Sequence, residues 1–160
     1  MKKIVVGLLI TTLILSMLSV QAGTETITIT MDPQETINIE CNQSAWDPSA
    51  KLGENEATSA TWGNLTNEGD VAVLVNISAT NSTGWTLENT AGHNQFNLSW
   101  TTDGSAFTLI TTDDQTFDAN IPASGQSGNY TTFGLKLYMP TSTSTGDVQT
   151  STITFTATAL

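Results

Sequence analysis

Positive charge is nearly missing from this sequence: four lysines and no arginine stand against fifteen aspartates and glutamates in 160 residues. Lys2 and Lys3 precede an apolar run, so a chain trimmed of that run keeps two cations against fifteen acids, a net charge of −13. Such a field repels phosphate backbones and anionic lipid headgroups, which excludes ordinary nucleic-acid binding and attachment to a membrane surface. A single cysteine, Cys41, closes no internal disulfide and builds no thiolate zinc or iron–sulfur centre. The lone histidine, His93, excludes any centre that needs two imidazoles. It lies in the turn-like Gly92-His93-Asn94 and is expected at the surface. No Gly-x-Ser-x-Gly elbow, His-Glu-x-x-His helix, phosphate loop or dinucleotide fingerprint occurs. The chain is therefore expected to be no enzyme, with no catalytic residue, no resident metal and no cofactor.

Long apolar runs are also scarce, and the one present sits at the start. Met1-Lys2-Lys3 is a short positive stretch, residues 4–20 are almost wholly apolar, and Val20-Gln21-Ala22 offers small residues at −3 and −1 before Gly23. That pattern reads as a cleaved secretory signal over residues 1–22. The competing reading, an uncleaved anchor, needs a span of about 20 residues, which this run falls short of. No lipid-attachment cysteine follows, because Cys41 is too distant. The mature chain is expected to be secreted, at the extracellular cell surface, with no membrane association after cleavage. Residues 23–160 suffice for one domain that buries roughly two-thirds of its unfolded surface without staples.

What the mature region does have is threonine and serine, 28 and 12 respectively, in alternation with apolar residues. Period two dominates and no helical period appears beyond the leader. Residues 24–31 alternate Ile27, Ile29 and Met31 against Thr26, Thr28 and Thr30, and Asp32-Pro33-Gln34 interrupts them. Ile37, Ile39 and Cys41 share the face of a second strand, and residues 42–55 read as an irregular loop. Residues 57–66 read as one strand. Asn67-Glu68-Gly69-Asp70 is a turn, and Val71, Val73, Val75 and Ile77 share one face of the clearest strand. A short strand surrounds Trp85 and Leu87. Then come Phe96, Leu98 and Trp100 inward, a hairpin turn at Asp103-Gly104, and a strand at 106–110. Phe117, Ala119 and Ile121 share a face, as do Phe133, Leu135, Leu137 and Met139 before Pro140. After a Thr/Ser loop at 141–147, Ile153, Phe155 and Ala157 alternate with threonines. Nine or ten short strands at about ten-residue spacing predict an all-β, antiparallel β-sandwich of Ig-like or jelly-roll type. The lack of helical crossovers excludes a parallel sheet on this reading.

Six Asn-x-Ser/Thr acceptors occur, at Asn42, Asn64, Asn76, Asn81, Asn97 and Asn129. In an exported chain these are candidate glycosylation sites, with glycans the expected modification. Alternation turns Asn76 and Asn97 away from their apolar neighbours, which predicts that both face solvent. The segment 24–31 has two readings. It is an edge strand of its own sandwich, or it leaves that fold and fills a strand-shaped gap in a neighbour, with Ile27, Ile29 and Met31 as subunit contacts. Head-to-tail addition of that kind does not close, so it builds a homopolymer.

The leader, the N-terminal amphipathic strand and the run Asn67-Glu68-Gly69-Asp70-Val71-Ala72-Val73-Leu74-Val75-Asn76 resemble exported prokaryotic Ig-like or jelly-roll surface proteins, among them TasA/camelysin-type fibre subunits and archaeal donor-strand pilus proteins. The resemblance implies a structural filament subunit without catalysis. A different class of function rests on the aromatics. Trp46, Trp62 and the outward Tyr138 are candidates for a sugar-stacking platform, which would make the chain a monomeric carbohydrate-binding or adhesion module. Asp103, Asp113, Asp114 and Asp118 cluster along the chain, but no calcium-loop repeat accompanies them, and they are expected to form turns.

Overall fold

The computed structural model describes residues 34–160. The leader and the segment 24–31, with Ile27, Ile29 and Met31, lie outside the described residues. Ten strands follow in order: β1 (Ile39–Cys41), β2 (Asn55–Ala57), β3 (Gly63–Asn67), β4 (Val73–Ala79), β5 (Thr86–Leu87), β6 (Gln95–Thr101), β7 (Thr108–Ile110), β8 (Gln115–Ile121), β9 (Tyr130–Tyr138) and β10 (Ile153–Ala159). Among the described residues there is no helix.

The strands make two unequal sheets. The larger runs β1-β3-β9-β6-β5, with β2 also on β9 and β7 also on β6; the smaller is β10-β4-β8. Every pair is antiparallel except one: β5 runs parallel to β6, Thr86 opposite Gln95 and Leu87 opposite Phe96. The sandwich is thus antiparallel as expected, with the larger sheet mixed at this one short pair. No helix is needed, because the loop 88–94 folds back on itself, with Asn94 in the left-handed region at φ 54°. Thr86 and Glu88 then donate to the carbonyls of Asn94 and Phe96 at 2.9 Å.

Alternation placed the core well. Val73, Val75 and Ile77 are fully buried on β4, and Phe133, Leu135 and Leu137 on β9 and Leu98 on β6 are buried with them. The layers are joined by aromatic rings. Phe133 of the large sheet meets Phe117 edge-on at 5.7 Å and Phe155 at 5.3 Å, and Phe117 meets Phe155 at 5.0 Å. Trp100 packs against Phe117 at 4.8 Å with the rings tilted by 48°, though its indole is only partly buried and its Nε1 finds no acceptor among the described residues. Gly63 lies directly opposite Phe133, whose ring covers the glycine so closely that any Cβ there would collide with it.

Three expectations shift. Residues 57–66 form parts of two strands, because the chain leaves β2, crosses over Gly134 at Ser59 and re-enters as β3. Ala119 is exposed although Phe117 and Ile121 are buried. Between them β8 bulges against β4, so that Val73 faces Ile121 while Val75 faces Asp118 and Asn76 faces Thr116. Val71, on the approach to β4, is only partly buried.

The turn at 67–70 does more than reverse the chain. Asn67 is wholly buried, and its amide donates to the carbonyls of Val71, Ile121 and Pro122 at 2.8, 3.1 and 3.0 Å. Its Oδ1 accepts from Gly69 N at 2.9 Å, and its backbone N–H donates to Asn129 O at 2.8 Å. One side chain therefore ties the end of β3 to the start of β4 and the end of β8, across both sheets. Gly69 is fixed by the same corner, since a Cβ would strike the Thr36 carbonyl. Asn67→Ala removes the donor to three carbonyls, that of Ile121 buried and those of Val71 and Pro122 partly so, and should cost about 3 kcal/mol, a fall in Tm of roughly 10 °C. Asn67→Asp, which keeps the shape but cannot donate, should cost at least as much. Thermal unfolding of both variants checks this, and a near-neutral effect of Asn67→Asp would contradict the role given to the amide.

Candidate functional site

Strand edges are the first place to look, because a row of unpaired backbone groups is a template for another chain. Most edges here are short or blunted. β1, β2, β5 and β7 span two or three residues each, and β8 is bulged, with Asp118 hydrogen-bonded to Thr131 of β9. β10 is different. It pairs with β4 in unbroken register over seven residues, from Ile153 opposite Ala79 to Ala159 opposite Val73. On its other side no strand pairs with it among the described residues. Its inward residues Ile153, Phe155 and Ala157 are only half-buried, whereas their β4 partners Ala79, Ile77 and Val75 are covered. The sandwich is thus less closed along β10 than at its centre, and Phe155, a member of the aromatic cluster, is part of that margin.

The second feature is a groove of about 450 Å³ on the outer face of the large sheet. Asn97 and Ser99 of β6 lie opposite Tyr138 and Lys136 of β9, and Ser99 also lies opposite Leu109 of β7. Phe107 and Tyr138 flank the Lys136 ammonium, which sits 5.3 Å from one ring centre and 4.6 Å from the other. Loop residues Asn89, Thr90 and Thr141 form the rim, and among the described residues no acidic side chain lines the groove.

The predicted acceptor asparagines separate into distinct groups. Asn42 and Asn81 are exposed, and each is oriented by a hydrogen bond to Oδ1, from Asn64 N at 2.7 Å and from Leu87 N at 2.8 Å. Neither bond uses Nδ2, the nitrogen to which a glycan attaches. Asn64, Asn76 and Asn129 are half-buried; the Asn64 Oδ1 is enclosed without a partner, and Asn129 Nδ2 reaches the Asn67 carbonyl at 3.4 Å. Asn97 corrects the expectation that it faces solvent. It is 5 % exposed, and its Nδ2 donates to Glu88 O and Asn89 O at 3.1 and 2.9 Å. It does point away from the apolar core, but loop 88–92 closes over it.

The tryptophans do not form an exposed platform. Trp46 packs on Trp62 at 6.3 Å, Trp62 meets Phe133 edge-on at 6.1 Å, and both rest against the core. Trp85 is likewise packed, its indole N–H donating to Thr143 Oγ1 at 2.8 Å. Tyr138 does turn outward, at 37 % exposed. His93 is exposed and its Nδ1 lies 2.9 Å from Ser142 Oγ. The Thr/Ser stretch after Pro140 is held there by Thr141 N to Gly92 O and Ser144 N to Asn94 Oδ1.

The acids serve their own turns. The Asp103 carboxylate accepts from Ser105 N at 2.8 Å, Ser105 Oγ at 2.8 Å, Ala106 N at 3.1 Å and Thr101 Oγ1 at 3.0 Å. These donors, the Ser105 backbone first, hold its carboxyl well below the usual carboxylate range. Among the described residues no three of His, Cys, Asp and Glu converge as a metal site would require. Nor is any helix there long and apolar enough to cross a membrane. The native state favours ionised Asp103, so its contribution is present above the unfolded-state pKa of about 4 and is lost as pH falls through the lower folded-state value. The Tm gap between the wild type and Asp103→Asn should hold steady from pH 7 to about 4 and narrow below that. A gap that widens in acid would contradict the assignment.

No family model and no curated protein sequence matches the chain.

Proposed function

We propose that this protein is an exported structural subunit that polymerises by lending residues 24–31 to the β10 edge of a neighbouring copy. The observation that carries the reading is the regular, seven-residue β10 edge, which no strand pairs among the described residues, with half-covered Ile153, Phe155 and Ala157. A donor of matching length and alternation is present in the same sequence: Ile27, Ile29 and Met31 would extend the apolar row, while Thr26, Thr28 and Thr30 would continue the hydroxyl face of Thr154, Thr156 and Thr158. Main-chain hydrogen bonds would supply affinity and the three apolar side chains register. Addition of this kind is heterologous and propagates into a fibre. The leader-like residues 1–22 support delivery to the cell surface, and the acidic surface would keep the subunit dispersed until assembly. Glycans are proposed at Asn42 and Asn81, whose exposure and Oδ1 bonding favour modification of the folded domain.

Deleting residues 24–31 should leave a folded monomer that does not polymerise, and Ile29→Lys in the full mature chain should do the same. A synthetic peptide of residues 24–31 added to the truncated monomer should raise its stability, by about 2.7 kcal/mol at a hundredfold excess over Kd. Electron microscopy and thermal unfolding read these outcomes. Fibres from the truncated chain, or a full-length protein that stays monomeric when concentrated, would sink the reading. The mass of the protein from its native host should place glycans on Asn42 and Asn81 and none on Asn97; occupancy of Asn97 would contradict the closure of loop 88–92.

A further inference from the structure

The Lys136 groove is unexplained by assembly along β10, and its chemistry is unusual for this chain. Only two cations, Lys51 and Lys136, fall among the described residues, against thirteen acids. In so acidic a protein an exposed ammonium would ordinarily be drawn to a carboxylate, yet among the described residues none lines this groove. Instead the ammonium is held between the Phe107 and Tyr138 rings, 5.3 and 4.6 Å from their centres. Such contacts fix the position of the charge without neutralising it. Around it the accessible lining is mainly apolar, from Phe107, Leu109, Tyr138 and Met139, with polar side chains at the rim; Asn97 and Ser99 lie beneath, at 5 % and 2 % exposure.

We propose that this groove binds a carboxylated sugar of the uronate class. A uronate ring offers three features that correspond to the three kinds of surface here. Its carboxylate would pair with Lys136, where the partly desolvated setting makes a charge-assisted hydrogen bond stronger than on open surface. Its C–H face would lie against the exposed side of the Tyr138 ring. Its hydroxyls would meet the side chains of Asn89, Thr90 and Thr141 at the rim. The volume, about 450 Å³, falls in the range of small-ligand sites. A polyphosphate would need more than one cation, and a wholly apolar ligand would leave the Lys136 ammonium without an anionic partner. The site differs from the tryptophan platform suggested by sequence, and it does not depend on polymerisation.

The test is a titration of the assembly-deficient mature protein (Ile29→Lys) with trigalacturonate, followed by amide NMR and calorimetry. The matched neutral trisaccharide and a triglutamate peptide serve as competitors. The proposal expects saturable shifts centred on Lys136, Tyr138 and Asn97. Affinity should be at least tenfold weaker for the neutral sugar and for triglutamate, and should fall as salt rises. Lys136→Met keeps the stem that covers the sheet and should lose at least tenfold in affinity with the spectrum otherwise unchanged; Lys136→Arg should retain most of it. Should Lys136→Met disturb the fold, Tyr138→Leu, which removes the stacking face at the rim, should lose binding while leaving the melting temperature near that of the parent. Absence of binding, equal affinity for the neutral sugar or for triglutamate, or full affinity in Lys136→Met would each overturn the proposal.

Discussion

A three-stranded sheet laid on a larger one cannot cover itself. That mismatch is the constraint on which the rest of this structure turns. The central strand β4 is flanked on both sides and its valines and isoleucine are dry, while β10 has a neighbour on one side only among the described residues. The aromatic cluster that binds the two layers together draws one of its rings, Phe155, from that half-covered strand. The interior therefore runs out to an edge where, among the described residues, apolar surface is half-covered and the backbone groups meet no strand, the combination that folded proteins ordinarily blunt with charge, proline or a bulge. β8 shows the blunting in this same sheet, through its bulges and the Asp118–Thr131 contact; β10 has none of it.

Two kinds of polar residue make this architecture possible. Asn67 directs its carboxamide at three carbonyls from two other segments, which fixes the corner where both sheets meet. Asn97 and Ser99 occupy the outer face of β6 yet are buried, with loop 88–92 and the side chains around Lys136 beside them. The outer face of the large sheet is thus a third, partial layer. Its groove arises from the same covering elements that closed Asn97 to solvent.

Much of this was legible in the sequence, for a simple reason. Period-two alternation reports which face a side chain takes, and Val73, Val75, Ile77, Phe133 and Leu135 all took the face that it assigned. What alternation does not report is whether the opposite face meets water. Asn97 was assigned to the correct side of β6 and still proved buried, because the covering loop comes from residues remote in pattern. Bulges break the parity rule locally, which exposed Ala119. β5 is two residues long and is defined by its parallel partner, so no local period could show it. Asn67 looked like a turn former, and it is one, but its larger role depends on carbonyls 54 and 55 residues away. The Lys136 cradle needed the register of β6 against β9 before its parts could be seen together, and the trace in the sequence was one of four lysines in an acidic chain.

Amide hydrogen exchange along β10 tests the central claim most directly. In dilute, truncated protein the inward-bonded amides of β10 should be protected by β4, while those directed away from β4 should exchange at rates near those of open chain. In assembled full-length protein the same outward amides should become protected to the level of the β4 core. Outward amides already protected in the truncated monomer, or unchanged on assembly, would contradict the account of β10 as an edge awaiting its partner.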